Sequence, residues 1–320
     1  MLLTLSCIGR TAARAPGVDV LVIAPHPDDE VLMAGGVMAQ AVRRGERVAV
    51  VLVTNGDLSC ERDGNVRQAE TIAALAAIGV GEENVRFLGY PDGHLAELST
   101  TPLEIERVGP DGRCARAATT WATRGKPRSG APASLTSIAL TDDLASVLGE
   151  LRPRDVYLPH GFDLHPDHAM TYAFFRRALD LVDVAPRQTR RSIIHAPGCW
   201  PATECERPLQ LEAPMPPIPS GAMPDERVAI DARLKLSWIG RYRSQLEGPL
   251  EQDWLASFAR TDEVFFVETY VREGSRWRAV RSDGRDDGPA ERLSRDGRSS
   301  TPPPAALAPA PATSTRAARR

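Results

Sequence analysis

The stretch VDVLVIAPHPDDE, residues 18–30, decides the fold that this 320-residue sequence predicts. Its first six residues form a mostly β-branched run that is too apolar to face water on one side, as is typical of a buried parallel strand. Residues 31–44 then follow helical spacing up to Gly45, a residue well suited to the position after a helix. A polar cluster therefore lies between a strand and a helix, where open parallel sheets bind their ligands.

The same alternation of elements continues along the chain. Further strands are predicted at residues 47–53, 85–88, 155–158, 191–195 and 263–271, and further helices at residues 65–78, 141–151, 169–182 and 225–245. Strands and helices that alternate in this way indicate right-handed crossovers and a mainly parallel sheet. We therefore expect one three-layer α/β domain of Rossmann-like architecture over residues 15–272.

Two segments and the C-terminal region depart from this pattern. Residues 94–137 show no sustained period and predict an insertion or long loop. Eight prolines between residues 197 and 224 predict a loop without regular structure. From residue 273 onward Arg, Pro, Ala, Ser and Gly dominate, so residues 273–320 are expected to form a disordered tail.

Charge and cysteine usage narrow the functional classes. The formal net charge of −3 gives no general argument for nucleic acid or a membrane surface as a partner. No apolar run reaches the length of a transmembrane helix. The five cysteines are scattered without the CxxC rhythm of a zinc site, and the N-terminus lacks the charged start and apolar core of a signal peptide. We therefore expect free thiols and a cytoplasmic location.

The polar cluster at residues 24–30 has the chemistry of a metal site. His26 and Asp29 are three residues apart across a strand-to-helix turn, so that both side chains can face one point. Imidazole nitrogen and carboxylate oxygen are ordinary zinc ligands. Asp28 would then lie beside the metal, where it could take a proton from water. The structural alternative is that Asp28 or Asp29 caps the helix, but a cap needs one acid and this cluster offers three.

A second cluster follows the strand predicted at residues 155–158. It contains His165 and His168, again three residues apart. Asp163 and Asp167 are available as hydrogen-bond partners for these imidazoles. The two clusters together supply the ligands for a metal held by two His and one Asp, and they place an acid–base pair beside it.

Two other functions use the same residues. Two His and one carboxylate also form the facial triad of non-haem Fe(II) oxygenases, although these usually present it within a β-barrel. A carbohydrate-binding protein with a blocked site is a non-enzymatic alternative. Dinucleotide binding is disfavoured, because the G-x-G-x-x-G motif is missing after the first strand.

The motifs carry a resemblance to a known family. APHPDDE at residues 24–30 and DLHPDH at residues 163–168 resemble the LmbE-like or PIG-L family of zinc-dependent N-deacetylases. Supporting matches are VTNGD at 53–57, RQAE at 67–70 and FLGYPDG at 87–93. The family includes enzymes that remove acetyl groups from N-acetylglucosamine units. The resemblance implies Zn²⁺ as the cofactor and a small-molecule or glycoconjugate N-acetyl sugar as the substrate, with no nucleic acid partner.

The resemblance also assigns the residues of the metal site. It implies that His26, Asp29 and His168 bind zinc, and that Asp28 is the general base. The implied reaction is hydrolysis of an N-acetyl amide on an amino sugar.

Further roles follow by position in the same motifs. The resemblance implies that His165 assists at the tetrahedral intermediate and that Asp167 orients His165. It implies substrate contacts for Arg67 and Asp92. The remaining histidines, His94, His160 and His195, are expected to be loop or strand-end residues, and Trp121, Trp200, Trp238 and Trp254 are expected to serve packing.

Overall fold

The computed structural model of the protein describes residues 17–58, 63–101, 135–197, 200–201, 211–214, 216 and 223–281. Most of the predicted insertion, much of the proline-rich segment and residues 282–320 of the predicted tail lie outside these described residues, as do Trp121 and all five cysteines.

The described elements alternate as the sequence predicts over the first two thirds of the chain. The strands are β1 (Val20–Ala24), β2 (Val48–Thr54), β3 (Val85–Tyr90), β4 (Asp155–Pro159), β5 (Gln188–Ser192), β6 (Glu226–Ala229), β7 (Asp262–Glu273) and β8 (Arg276–Arg281). The helices are α1 (Asp29–Arg43), α2 (Gly64–Ile78), α3 (Leu95–Leu98), α4 (Ser137–Leu151), α5 (Pro166–Leu179), α6 (Ala232–Ile239) and α7 (Pro249–Ala256). Among the described residues, none of these helices combines the length and apolar character needed to traverse a bilayer.

The strands form a single sheet within the described part of the chain. Strands β3, β2, β1, β4 and β5 are parallel and lie side by side in that order. Strand β7 pairs antiparallel with β5, and both β6 and β8 pair antiparallel with β7. The predicted α/β class with a mainly parallel sheet is confirmed.

Strand β1 lies at the centre of the sheet and is buried on both faces. Val20 and Val22 pack into a core layer with α1, α2 and α6, while Leu21 and Ile23 pack into the opposite layer with α4 and α5. Full burial of each such side chain contributes roughly 1.5–3 kcal/mol to folding. The apolar run that predicts the strand is thus required by helices on both sides.

The predicted helix over residues 225–245 is wrong in its first part. Residues Glu226–Ala229 form β6, which pairs with β7, and α6 begins only at Ala232. The side chain of Asp231 accepts hydrogen bonds from the backbone N–H groups of Arg233 and Leu234 and so caps α6. Hydrogen bonding to a distant strand overrides the local helical pattern here.

Other boundaries also differ from the sequence prediction, among them the start of α4 and the end of the domain. Helix α4 begins at Ser137 after Thr136, whose hydroxyl accepts from the backbone N–H of Ala139, so Thr141 lies inside the helix and is not its cap. The domain also extends past the predicted end at residue 272, because β7 reaches Glu273 and β8 pairs with it. The predicted tail is therefore wrong for residues 276–281, where pairing with β7 supplies the order that the polar composition did not indicate.

Helix α1 is interrupted at Ala34, whose backbone leaves the helical region at φ −140° and ψ 20°. The carboxylate of Glu263 accepts hydrogen bonds from the backbone N–H groups of Gly36 and Val37 at 2.9 and 3.0 Å. The buried Lys235 donates to the carbonyl of Leu32 at 2.7 Å and to Glu263 at 2.8 Å. An internal ion pair thus satisfies the backbone groups that the kink leaves open.

Replacing Glu263 with glutamine is expected to lower the free energy of unfolding by about 3–5 kcal/mol, because Lys235 would remain buried without its counter-charge. Urea unfolding followed by circular dichroism measures this. The control is Arg44→Ala, which removes an exposed ion pair with Glu46 and is expected to change stability by at most about 1 kcal/mol. If both variants lose the same free energy of unfolding, Glu263 and Lys235 do not form a stabilising buried ion pair.

Candidate metal centre

Both histidine clusters meet at the carboxyl ends of the neighbouring strands β1 and β4. Nδ1 of His26 lies 3.0 Å from Oδ2 of Asp29, and Nε2 of His168 lies 3.1 Å from the same oxygen. The two nitrogens are 3.3 Å apart. The structure therefore brings the three predicted metal ligands together as a compact triangle of donor atoms, all from buried side chains.

The three donor atoms lie 3.0, 3.1 and 3.3 Å apart, close to the spacing of ligands around a small cation. Zinc bonds of about 2.0–2.2 Å in tetrahedral geometry place neighbouring donors roughly 3.3–3.6 Å apart. The second ring nitrogen of each histidine faces a buried carboxylate: Nε2 of His26 lies 3.1 Å from both Asp92 and Asp167, and Nδ1 of His168 lies 3.3 Å from Asp163. Metal-binding histidines are held in this way by carboxylates behind them. The residues present fit a divalent metal.

The electrostatics of the centre favour positive charge. Burial opposes protonation of His168, but Asp29 and Asp163 outweigh it and raise the pKa of His168 to about 9. Burial likewise opposes protonation of His26, yet the charge of Asp92 and the hydrogen bonds that the imidazole donates to Asp167, Asp29 and Asp92 raise the pKa of His26 well above its usual value. Carboxylates that retain protons on two imidazoles would equally stabilise a cation between them.

Asp28 lies at the start of α1 with a backbone φ of 118°, a conformation that usually stores about 1–3 kcal/mol of strain in a non-glycine residue. Its side chain makes no capping hydrogen bond to the helix, so the capping alternative finds no support. Its carboxylate instead accepts a hydrogen bond from Nη2 of Arg67 at 3.1 Å. Burial raises the pKa of Asp28 to about 7, against the opposing effect of Arg67.

Arg67 braces the loops that carry Asp28. Its guanidinium donates to the carbonyls of Pro27 and Gly56 at 2.6 and 2.8 Å, and the residue is only 6% exposed. A Cβ at Gly56 would lie 2.7 Å from Cδ of Pro27, and the φ of Gly56 is +69°, so glycine is required there. The substrate contact expected of Arg67 stays a prediction, beside this observed bracing of Asp28.

Glu30 and Tyr242 support Asp28 from behind. The carboxyl group of Glu30 accepts from the backbone N–H of Asp28 at 3.0 Å and from the hydroxyl of Tyr242. Burial raises the pKa of Glu30 to about 8. Tyr242 follows α6, more than 200 residues along the chain, so no local pattern could have linked it to this site.

Asp167 and His165 are placed differently from the expectation. The backbone N–H of Asp167 donates to Nδ1 of His165 at 3.2 Å, whereas the Asp167 carboxylate contacts His26 and accepts from the backbone N–H groups of Gly93 and Leu95. Asp167 therefore contacts His165 through its backbone, because the first turn of α5 directs its carboxylate back toward the end of β1. The orienting role expected of Asp167 stays a prediction.

The ring of His165 lies beside two of the predicted metal ligands. Its ring lies 4.7 Å from that of His26 and 4.9 Å from that of His168, centroid to centroid. Burial, aided by the charges of neighbouring histidines, lowers the pKa of His165 to about 3. Because Nδ1 accepts a hydrogen bond, the proton of the neutral ring is on Nε2.

Asp92 lies beneath His26 and is 3% exposed. Its Oδ2 accepts from the backbone N–H of Leu58 at 2.9 Å, and its Oδ1 lies 3.1 Å from Nε2 of His26. Burial opposes ionisation, but the His26 charge and hydrogen bond lower the pKa of Asp92 below its usual range. The expected substrate contact of Asp92 stays a prediction, while the structure places its carboxylate on a predicted ligand.

Sequence reasoning missed His195, which follows β5 and lies against the rings of both His165 and His168. The signal was available, because β5 is the next parallel strand and its carboxyl end reaches the same edge of the sheet. His160 agrees with the expectation, since it accepts a backbone hydrogen bond from Phe162 directly after β4. Trp238 is buried, as expected of a packing residue.

Asp163→Asn is expected to weaken zinc binding by about 10–100-fold, the usual effect of losing a carboxylate behind a ligand histidine. In the wild type, the carboxylate of Asp163 accepts hydrogen bonds from the backbone N–H groups of His165, Ile194 and His195. The amide of the variant has the same size but no charge. Competition against a chromophoric chelator measures the affinity. Asp142→Asn, an exposed change on α4, is the control and should bind zinc as the wild type does. If both variants bind zinc with wild-type affinity, the claim that Asp163 supports zinc binding through His168 is wrong.

Comparisons with known proteins agree with the geometry. The sequence model of a family described as "PIG-L: GlcNAc-PI de-N-acetylase" matches residues 21–179. A protein of Mycobacterium sp. (strain KMS), named 1D-myo-inositol 2-acetamido-2-deoxy-alpha-D-glucopyranoside deacetylase, is 32% identical over 198 residues, which are 53% of this chain and 56% of the relative. A protein of the same name from Rhodococcus erythropolis (strain PR4) is 25% identical over 83% of this chain and 95% of its own length.

Solved structures of deacetylases are similar as well. N,N'-diacetylchitobiose deacetylase from Pyrococcus horikoshii has 18% identity and a TM-score of 0.48, over 78% of this chain and 84% of its own. A deacetylase from the biosynthesis pathway of teicoplanin has 23% identity and a TM-score of 0.48, over 83% of this chain and 100% of its own.

The family match runs from β1 to the end of α5 and includes both histidine clusters. The chain spans little more than half the length of the mycobacterial relative that it matches. Through its residues 21–179, this chain belongs to the PIG-L family.

Proposed function

We propose that this protein is a zinc-dependent N-deacetylase that hydrolyses an N-acetyl amide on an amino sugar or glycoconjugate. One observation carries the proposal: the donor atoms of His26, Asp29 and His168 lie 3.0–3.3 Å from one another, with Asp28 and His165 beside them. The description of the family and the names of the relatives support the choice of an acetamido sugar as substrate.

The metal would be held by Nδ1 of His26, Oδ2 of Asp29 and Nε2 of His168. Nitrogen and oxygen donors of this kind suit zinc. When bound, zinc supplies Lewis acidity that polarises the acetyl carbonyl and lowers the pKa of water. The carboxylates of Asp92, Asp163 and Asp167 orient the two imidazoles and balance the added charge.

Asp28 is the general base of the proposed reaction. Arg67 holds one carboxylate oxygen and Glu30 holds the backbone, so the position of the carboxylate is fixed before substrate binds. Asp28 accepts a proton from the water that attacks the acetyl carbon, and the same proton is then available for the departing amine nitrogen. The carbon–nitrogen bond breaks, and the products are acetate and a free amine.

His165 stabilises the charge that develops on the acetyl oxygen. Its Nδ1 accepts from the backbone of Asp167, so its Nε2–H is the donor that remains for the substrate. A donor aimed at the developing charge usually contributes about 10²–10³ in kcat.

The proposed function is tested by acetate release from a panel of N-acetylated sugars, measured with zinc-loaded protein and with chelator-treated protein. We expect acetate and free amine in equal amounts from at least one acetamido sugar, and recovery when zinc is restored. Oxygen uptake with Fe(II) and no acetate would instead support a facial-triad oxygenase. Saturable sugar binding without acetate release would support a binding protein, and both results would overturn the proposal.

A further inference from the structure

The exposed edge of His195 is not used by the proposed reaction. Nδ1 of His195 is buried 3.4 Å from Oδ1 of Asp163, yet 33% of the side chain is exposed. The exposed part therefore lies on the opposite edge of the ring, which carries Nε2. The ring as a whole adjoins the centre, because it lies 4.7 Å from the ring of His168 and 5.1 Å from that of His165, centroid to centroid.

The orientation of His195 is fixed on two sides. Its ring stacks on Trp254 with a centroid distance of 5.2 Å and an interplanar angle of 30°. The indole N–H of Trp254 in turn donates to the carbonyl of Trp200 at 3.1 Å, and Trp254 packs edge-on against Phe258. His195 thus covers one face of Trp254. A side chain restrained in this way can make a hydrogen bond at little further loss of conformational entropy.

Asp163 determines whether the exposed edge of His195 donates or accepts a hydrogen bond. The carboxylate of Asp163 is buried, accepts hydrogen bonds from three backbone N–H groups, and faces the rings of both His168 and His195. A neutral imidazole carries its proton on the nitrogen that faces such a carboxylate. Nδ1 of His195 is then the donor and Nε2 is an acceptor beside the centre.

We infer that His195 is a substrate-binding residue whose Nε2 accepts a hydrogen bond from a hydroxyl group of the acetamido sugar. The inference rests on the proposed function and adds to it a specificity contact with a hydroxylated ring. Hydroxyl donors surround the acetamido group of such a sugar, whereas a simple N-acetyl amine has none. Trp254 and Asp163 hold His195 in place, and Nε2 is the atom that contacts the ligand.

Three variants separate this contact from a structural role. His195→Gln places an amide oxygen near the position of Nε2, His195→Asn reaches only as far as Nδ1, and His195→Phe keeps the ring that stacks on Trp254. We expect KM to rise about 3- to 10-fold in the Asn and Phe variants, with kcat nearly unchanged and with KM partly restored in the Gln variant. If Asn restores KM and Gln does not, the role is the contact with Asp163 and the inference is wrong.

Binding is measured by calorimetry in zinc-loaded protein that carries Asp28→Asn, which is expected to turn the sugar over too slowly to disturb the measurement. The probes are N-acetylglucosamine and its monodeoxy analogues, and each is added to Asp28→Asn with His195 intact and to Asp28→Asn with His195→Phe. The inference requires that removing one hydroxyl group from the sugar weakens binding when His195 is intact and has no effect when Phe replaces it. Equal affinities of the two proteins for every probe would overturn the inference. If the affinities are equal but the wild type releases acetate, only the inference about His195 is wrong. If the sugar binds through His195 but no acetate is released, only the proposed function is wrong.

Discussion

Replacing Asp28 with asparagine is expected to lower kcat for acetate release by about 10²–10⁴-fold, the usual contribution of a positioned general base. The amide cannot accept a proton, but it has the size of the carboxylate and tolerates the positive φ of this position. Arg67 keeps the carbonyls of Pro27 and Gly56 as partners, so the loops stay braced. Steady-state kinetics and metal analysis of the same preparation measure both consequences.

The variant should retain its zinc, because Asp28 is not one of the three predicted ligands. Asp142→Asn makes the same chemical change on the exposed face of α4 and should leave kcat within about twofold of the wild type. Full activity of Asp28→Asn would show that another group is the base. Loss of zinc together with activity would instead make Asp28 a ligand.

His168→Ala is expected to lose bound metal and activity together. Removing a carboxylate behind a ligand histidine typically weakens binding about 10–100-fold, so loss of the ligand itself should exceed that range. The change also leaves Asp29 and Asp163 facing a cavity without their cationic partner. Metal content after dialysis, measured by mass spectrometry, and circular dichroism of the same sample separate metal loss from unfolding.

His94→Ala is the matched control, since this histidine pairs with Glu97 on α3 and is not one of the three predicted ligands. It should retain one equivalent of zinc and most of the activity. If His168→Ala folds and still binds one equivalent of zinc with wild-type affinity, the ligand set is wrong.

The parallel half of the fold could be predicted because its signals are local. The residues of β1 form an apolar run that a sheet covered on both faces requires, and α1 ends before Gly45 at φ +71°, as its sequence indicates. Crossover connections between these strands predict that they are parallel, whereas their order, β3-β2-β1-β4-β5, is given by the structure.

The elements after β5 could not be predicted in the same way, because distant pairing decides them. Four residues of β6 are too few to show alternation, and they lie directly before a helical pattern. Strand β8 consists largely of Arg and Trp side chains, and it is ordered by pairing with β7 and by the hydrogen bond from Trp277 to Asp180. Neither partner is near in sequence.

The core of the site was more predictable than its supports. His26 and His168 follow β1 and β4, which are neighbours in the sheet, so two motifs become one cluster as soon as the fold is parallel. The supports come from other places: Tyr242 reaches Glu30 from beyond α6, and Asp167 turns to His26. Those contacts depend on where side chains point across the domain, which spacing along the chain does not encode.

Titration of acetate release against bound zinc tests the central claim most directly. Metal-free protein receives increasing zinc in the presence of an acetamido sugar that the panel identifies as a substrate, and acetate and bound metal are measured together. Activity is predicted to be absent without metal and to rise in proportion to zinc up to one equivalent per chain. Acetate release that is as fast in the metal-free protein, or no acetate from protein holding a full equivalent of zinc at this site, would contradict the account.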